Sequence, residues 1–163
     1  RKNFLRLLQA MTLPENKDKH LVAVSNGGDE YEKAEAFIYE KNLEGRVFFL
    51  KDLPWYELPI IYHMSQGLIY PSIYEGFGLP ILEALRCGKP VITSNLSSMP
   101  EVGGDACIFI DPMNVEEISA AINFIYYNLE LAAEVKIKAM HQVQKFNPEK
   151  MTAKMMDVYK SLR

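Results

Sequence analysis

The chain has 163 residues, 48% of them hydrophobic and 24% charged, with 9 Gly and 9 Pro. That composition excludes a disordered, collagen-like or disulfide-dense chain, and the length buries roughly 70% of the unfolded surface in one full core. Its 18 basic and 21 acidic residues leave a formal charge of −3, so neither nucleic acid nor an anionic membrane is implied, since both select a basic excess.

Apolar runs such as Val47–Leu50 and Ile108–Ile110 are far short of the ~20 residues that span a bilayer. Arg6 and Gln9 interrupt the apolar stretch at the N-terminus, which does not read as a signal peptide. Cys87 and Cys107, with no CxxC pair, read as small, reduced, buried residues of a cytoplasmic protein. The sequence starts without Met and is read as a piece of something larger. A single domain over residues 1–163 is expected, with its C-terminal helices starting near residue 115.

Taken in chain order, Phe4, Leu5, Leu7, Leu8 and Met11 recur on one face of a helix that Pro14 ends. Leu21–Val24 is an apolar run stopped by Asn26-Gly27-Gly28, and Tyr31, Ala34, Phe37 and Ile38 mark a second helix broken near Gly45. Val47–Leu50 predicts a strand, Leu58–Met64 a short helix, and Leu68–Tyr70 a strand closed by Pro71. Leu79–Cys87 predicts a helix, Pro90–Thr93 and Ala106–Ile110 strands, and the chain is helical from Val115 with breaks near Tyr127 and at Pro148. The strands are continuous apolar runs and not alternating ones, so cover on both faces is expected. Short buried strands alternating with helices give an α/β fold, a Rossmann-like parallel sheet flanked by helices.

In such a sheet, ligands lie outside the carboxyl ends of the strands. The segments there are Ser25–Asp29, Lys51–Leu53, Pro71–Leu79, Ser94–Ser98 and Asp111–Pro112. Pro71–Pro80 follows a strand and opens a helix, and its Gly76 and Gly78 let the backbone approach a ligand. Free N–H groups at Gly78 and Leu79 can point at an anion, which a helix N-terminus favours by ~0.3–1 kcal/mol. Pro80 suits the first helical turn, where its missing N–H costs nothing. A tight turn that merely packs helix on strand explains the same glycines. Two carboxylates frame the turn, Glu75 in the loop and Glu83 eight residues on. A carboxylate beside a ribose diol can accept both hydroxyl protons. Helix-dipole compensation at Glu83 and a solvated loop charge at Glu75 are the alternatives.

Glu75-Gly-Phe-Gly-Leu-Pro-Ile-Leu-Glu83 resembles the E-x7-E motif of retaining glycosyltransferases with two Rossmann-like domains (the GT-B architecture). More narrowly, the chain resembles the C-terminal, donor-binding domain of the glycosyl transferases group 1 family. Pro71-Ser72, Cys87–Ile92, Ser97–Ala106, Val22–Val24 running into Gly27-Gly28, and Lys2-Asn3 opening a Leu-rich helix all fit. The resemblance covers about residues 2 to 125.

That resemblance implies a hexosyltransferase in which Glu83 holds the ribose and Glu75 faces the transferred sugar. The amides of Gly76, Phe77, Gly78 and Leu79 would meet the sugar hydroxyls and diphosphate, with Gly27 and Gly28 lining the nucleotide side. Lys2 would neutralise the diphosphate with an upstream arginine that the family carries; Arg1 does not fit that spacing. Leu50 to Leu53 would flank the base through backbone groups. The donor would be a UDP- or GDP-linked sugar, with no cofactor and no metal, since preorganised amides and Lys/Arg stabilise the leaving charge. Asp29-Glu30 is assigned to a helix start and not to a metal.

The partners implied are a carbohydrate or lipid-linked acceptor and a missing N-terminal domain of the same enzyme, without which the piece is expected to be inactive. The implied role is cell-surface polysaccharide or glycolipid synthesis in the cytoplasm, peripheral to the inner face of the membrane. A sugar-nucleotide epimerase-like enzyme and a non-catalytic binding or scaffold domain stand as the alternatives. His20, His63 and His141 are assigned to surface or packing. Met140, Met151, Met155 and Met156 are assigned to core or interdomain packing. Lys136, Lys138, Lys145, Lys150, Lys154 and Lys160 are read as a solvated helix face, which leaves membrane contact open.

Overall fold

The computed structural model describes residues 1–128 and 130–162, without the side chains of Asp29, Ala132, Pro148 and Lys150; Lys150, assigned above to a solvated face, thus lies outside the described side chains. Each apolar run is short because a turn-forming or helix-starting residue follows it, and each following helix returns the chain to the same end of the sheet. The result is five parallel strands among the described residues: β1 (Leu21–Val24), β2 (Val47–Leu50), β3 (Leu68–Tyr70), β4 (Val91–Ser94) and β5 (Cys107–Ile110). Between and after them run α1 (Phe4–Thr12), α2 (Asp29–Glu40), α3 (Leu58–Met64), α4 (Leu79–Arg86), α5 (Met99–Gly103), α6 (Val115–Tyr127), α7 (Leu131–Lys145) and α8 (Pro148–Ser161). A parallel pair needs such crossovers, so the alternation read from the sequence carries over directly.

Element ends follow local chemistry. Asn42, at φ 53°, ends the α2 turn in the left-handed region that Asn tolerates. Asn114 caps α6 by accepting from the Glu117 N–H at 3.1 Å. The last strand starts at Cys107 and not at Ala106, because Gly104–Ala106 closes a 3₁₀ turn first.

The strands form two ladders. β1 pairs with β2, Leu21 opposite Val47, while β3–β4–β5 form a second sheet with Leu68 opposite Val91 and Val91 opposite Cys107. The main core gathers Leu82 and Leu85 of α4, Val91 and Ile92 of β4, and Ile118 and Ile122 of α6. A smaller one holds Leu8, Ala34, Ile38, Leu43 and Val47, and Phe4 and Leu21 touch both.

Cover on both faces holds for β4, buried at all four residues, but not for β1. There Val22 is 47% and Val24 41% exposed. The reason is position: β4 is central in its ladder, whereas β1 has one free edge. The methionine assignment is corrected in part. Met140 of α7 and Met151, Met155 and Met156 of α8 are exposed, which excludes them from the core. Cys87 and Cys107 are free thiols, partly buried.

Candidate functional site

Three of the five strand-end segments are tied together by hydrogen bonds. The Asn3 amide donates to the Pro71 carbonyl at 3.2 Å and to the Pro112 carbonyl at 2.6 Å, joining the ends of β3 and β5 to the start of α1. Ser97 and Ser98, after β4, donate through their hydroxyls to the Glu75 carbonyl at 2.8 and 3.0 Å. Buried Ser94 donates to the Ser72 carbonyl at 2.6 Å. The loop carrying Glu75 is thus pinned to two neighbouring strand ends.

Within that loop the Glu75 side chain is held from several sides. Ser72 donates to its Oε1 at 3.1 Å, and the Arg1 guanidinium lies 3.8 Å from Oε2. The Tyr70 hydroxyl also bonds it; burial first, and then this carboxylate, push the Tyr70 phenol up to about 12. A carboxylate with several partners is fixed in direction, and only 10% of this side chain is exposed.

Glu75 and Glu83 stand on either side of the N-terminus of α4. Gly78 is the residue before its first turn, at φ 100°, and Pro80 lies in that turn. A positive φ suits glycine, and here it turns the chain so that the loop amides precede the helix end. Glu83, one turn in, accepts from the Tyr62 hydroxyl of α3 at 3.0 Å. Burial and the neighbouring Glu83 carboxylate raise the Tyr62 phenol well above its ordinary value. The hydroxyl therefore stays protonated and donating, and it occupies one oxygen of Glu83.

A second group of candidates gathers at the end of β1. Gly27 (φ 98°) and Gly28 (φ 110°) turn the chain into α2, and a Cβ placed on either would meet nothing within 4 Å. Nearby, Lys2 lines a hollow with Val24, Ser25, Glu30, Tyr31 and Phe49. Arg1 bridges the two groups: its backbone nitrogen lies 2.8 Å from a Glu30 carboxylate oxygen while its guanidinium approaches Glu75. The Leu50 carbonyl accepts from the Ser25 N–H at 3.1 Å and is already engaged by its neighbouring strand end. Beyond it, the Asp52 N–H is held by the Asn26 side chain at 3.3 Å, with Asp52 at φ 52°.

The sequence reading missed Tyr62, Tyr70 and the hydroxyl of Ser72 as partners of the two glutamates, and it set Arg1 aside. A phenol on a neighbouring helix or strand carries no local signal of its partner. Of the histidines, His20 stacks on Phe48 with ring centres 6.1 Å apart. Among the described residues no three His, Cys, Asp or Glu converge as a cation would need, and no helix is long and apolar enough to cross a membrane.

Comparison with known proteins gives the family. The family model described as glycosyl transferases group 1 matches residues 1–156. The O-antigen chain mannosyltransferase B of Escherichia coli is 36% identical over 165 residues, covering 99% of this chain and 43% of that protein. Among solved structures, sucrose-phosphate synthase from Thermosynechococcus elongatus superposes with a TM-score of 0.88 at 27% identity, over 99% of this chain and 42% of that one. Anabaena Alr3699/HepE, in complex with UDP, gives 0.83 at 22% identity, over 98% and 45%; that match speaks to fold alone. The chain spans less than half the length of each of these proteins.

Proposed function

Because this chain belongs to the glycosyl transferases group 1 family, we propose that it forms the donor-binding part of a retaining glycosyltransferase, one that moves a sugar from a UDP- or GDP-linked donor to a carbohydrate or lipid-linked acceptor in cell-surface polysaccharide synthesis. The observation that carries this reading is the placement of Glu75 and Glu83 on either side of the α4 N-terminus, each held by neighbouring hydroxyls. Glu83 takes the ribose diol, and Glu75 faces the sugar. The amides from Gly76 to Leu79 and the positive end of α4 face the diphosphate.

Breaking the bond between the anomeric carbon and the diphosphate leaves negative charge on the phosphate and positive charge on the sugar. The amides and Lys2 stabilise the first without a metal, and the Glu75 carboxylate lies beside the second. Gly27, Gly28 and the backbone after Leu50 border the nucleoside. The rest of the catalytic cleft, with the acceptor, belongs to polypeptide outside these residues, since the mannosyltransferase relative is more than twice as long. The reading is cytoplasmic, in keeping with two free cysteines.

The test is a thermal-shift and calorimetric panel of UDP, GDP, ADP, CMP and their common sugars on the full polypeptide. A true donor nucleotide at about 100 times its dissociation constant stabilises the fold by ~2.7 kcal/mol. One base is expected to stand out, with sugar transfer by the full polypeptide and none by residues 1–163 alone. No response to any nucleotide from the folded full polypeptide overturns the reading.

A further inference from the structure

Tyr62 spends its side-chain donor on the candidate site and not on the backbone around it. Its ring lies in the main core, 8% exposed, while its hydroxyl donates to Glu83 Oε2 at 3.0 Å. A buried phenol needs a partner, but a neutral carbonyl meets that need at a lower desolvation cost than a carboxylate does. Glu83 is half-buried on α4, and a glutamate on a helix surface has several rotamers open to it. Among the described residues no other hydrogen bond is made to its carboxylate, whereas Glu75 is held by several groups. The direction of Glu83 is therefore set at Tyr62.

The phenol is itself held in place. At the end of α3 the Ser65 hydroxyl donates to the Tyr62 carbonyl at 2.8 Å, and the Ser65 N–H donates to the Ile61 and Tyr62 carbonyls at 3.0 and 3.2 Å. The Lys89 ammonium donates in turn to the Ser65 carbonyl at 2.7 Å. Lys89 lies just past the end of α4, and its own N–H returns to the carbonyl of Ala84, beside Glu83, at 3.0 Å. Hydrogen bonds thus run in a closed circuit, from Tyr62 to Glu83 across the side chains and back through Ala84, Lys89 and Ser65. Neither α3 nor α4 can slide on the other without breaking a link of it.

Building on the reading in which Glu83 takes the ribose diol, we propose that Tyr62 is a positioning residue that sets the ribose selectivity of the site. Two hydroxyls can share one carboxylate only when its plane is aligned with the diol. A carboxylate already fixed by Tyr62 meets them without the ordering cost that a freely turning one carries. A group that touches no ligand then decides how strongly a ribonucleotide is favoured over its deoxy counterparts.

Calorimetry on the full polypeptide with UDP, GDP and their 2′,3′-dideoxy counterparts tests this, on the wild-type protein and on Tyr62→Phe, which keeps the buried ring. The wild-type protein is expected to prefer the ribonucleotide by about ten- to a hundredfold, the range for hydrogen bonds to a charged group. In Tyr62→Phe that preference is expected to fall at least about fivefold, while affinity for the dideoxy nucleotide stays within about twofold of wild type. Adding Tyr62→Phe to Glu83→Gln is expected to lower the preference no further, because both act through one carboxylate. An unchanged preference in Tyr62→Phe overturns the proposal. So does an equal loss of affinity for both nucleotides, which is what a merely structural role produces. Should that variant fail to fold, Glu83→Asp decides: its charge is intact but drawn back from the Tyr62 hydroxyl, loss of the preference is expected, and full preference overturns the proposal. Failure of the donor reading looks different, since the folded wild-type polypeptide then binds no nucleotide, or binds the ribo and dideoxy forms alike; either result ends the role of Tyr62 together with that reading.

Discussion

Glu75 and Glu83 are alike in chemistry and differ in what holds them. Glu83 keeps one carboxylate oxygen on Tyr62, whereas Glu75 is engaged by Ser72, Tyr70 and Arg1. If Glu83 receives the ribose, Glu83→Gln weakens nucleotide binding by ~1.5–3 kcal/mol, the range for a lost hydrogen bond to a charged group. Glu75→Gln is expected to leave the affinity for free nucleotide nearly unchanged and to weaken binding of the nucleotide sugar. Calorimetry on the two variants checks the division, and equal losses of free-nucleotide affinity would sink it. Tyr70 supplies a pH signature. Its phenol is raised in the fold from 10 to about 12, so the native state holds the proton more tightly than the unfolded chain does. The stabilisation is complete below pH 10 and is lost as pH climbs through about 12. Tyr70→Phe is therefore expected to flatten the fall of stability between those limits, measured by denaturant melts at stepped alkaline pH.

At the scale of elements, α7 is anchored by one buried amide. Gln142 donates to the carbonyls of Glu101 and Val102 at 2.8 and 3.0 Å, and Lys145 in turn donates to Gln142. The helix can approach because Gly104, at φ 53°, has no side chain, and a Cβ there would collide with that amide. Gly104→Ala combines a strained backbone with a displaced buried group, and a loss of about 1–3 kcal/mol is expected in thermal or urea melts. A melt within experimental error of the wild-type protein would show that α7 adjusts freely. The elements themselves were legible in the sequence. β1, β2, α3 and β3 fall where the apolar runs and their Gly and Pro stops put them, because those signals act within a few residues. The exposure of β1 was not legible, since it depends on which strand lies beside it and not on its own Leu-Val-Ala-Val run.

Across the whole molecule, packing is unevenly shared. Two clusters of buried residues flank the sheet, whereas the described side chains of α8 are all exposed, Met151, Met155, Met156, Val158 and Tyr159 among them. A helix whose described side chains are all exposed adds little to the stability of the remainder. Deleting residues 148–163 is expected to change the unfolding free energy of the 163-residue chain by less than about 0.5 kcal/mol, as read by circular dichroism melts. A larger loss would mean that α8 packs on the body of the fold.

The sequence by itself determined the fold class, the motif from Glu75 to Glu83 and the family, because apolar periodicity, Gly and Pro stops and a fixed spacing of carboxylates are all written in adjacent residues. Only the tertiary structure decided that Tyr62 holds Glu83 across 21 positions, that the Arg1 guanidinium approaches Glu75, and that the strands pair in two ladders. Those are matters of which surfaces meet. Contacts between distant segments are selected by shape, burial and hydrogen-bond satisfaction over the whole fold, and no local pattern records them.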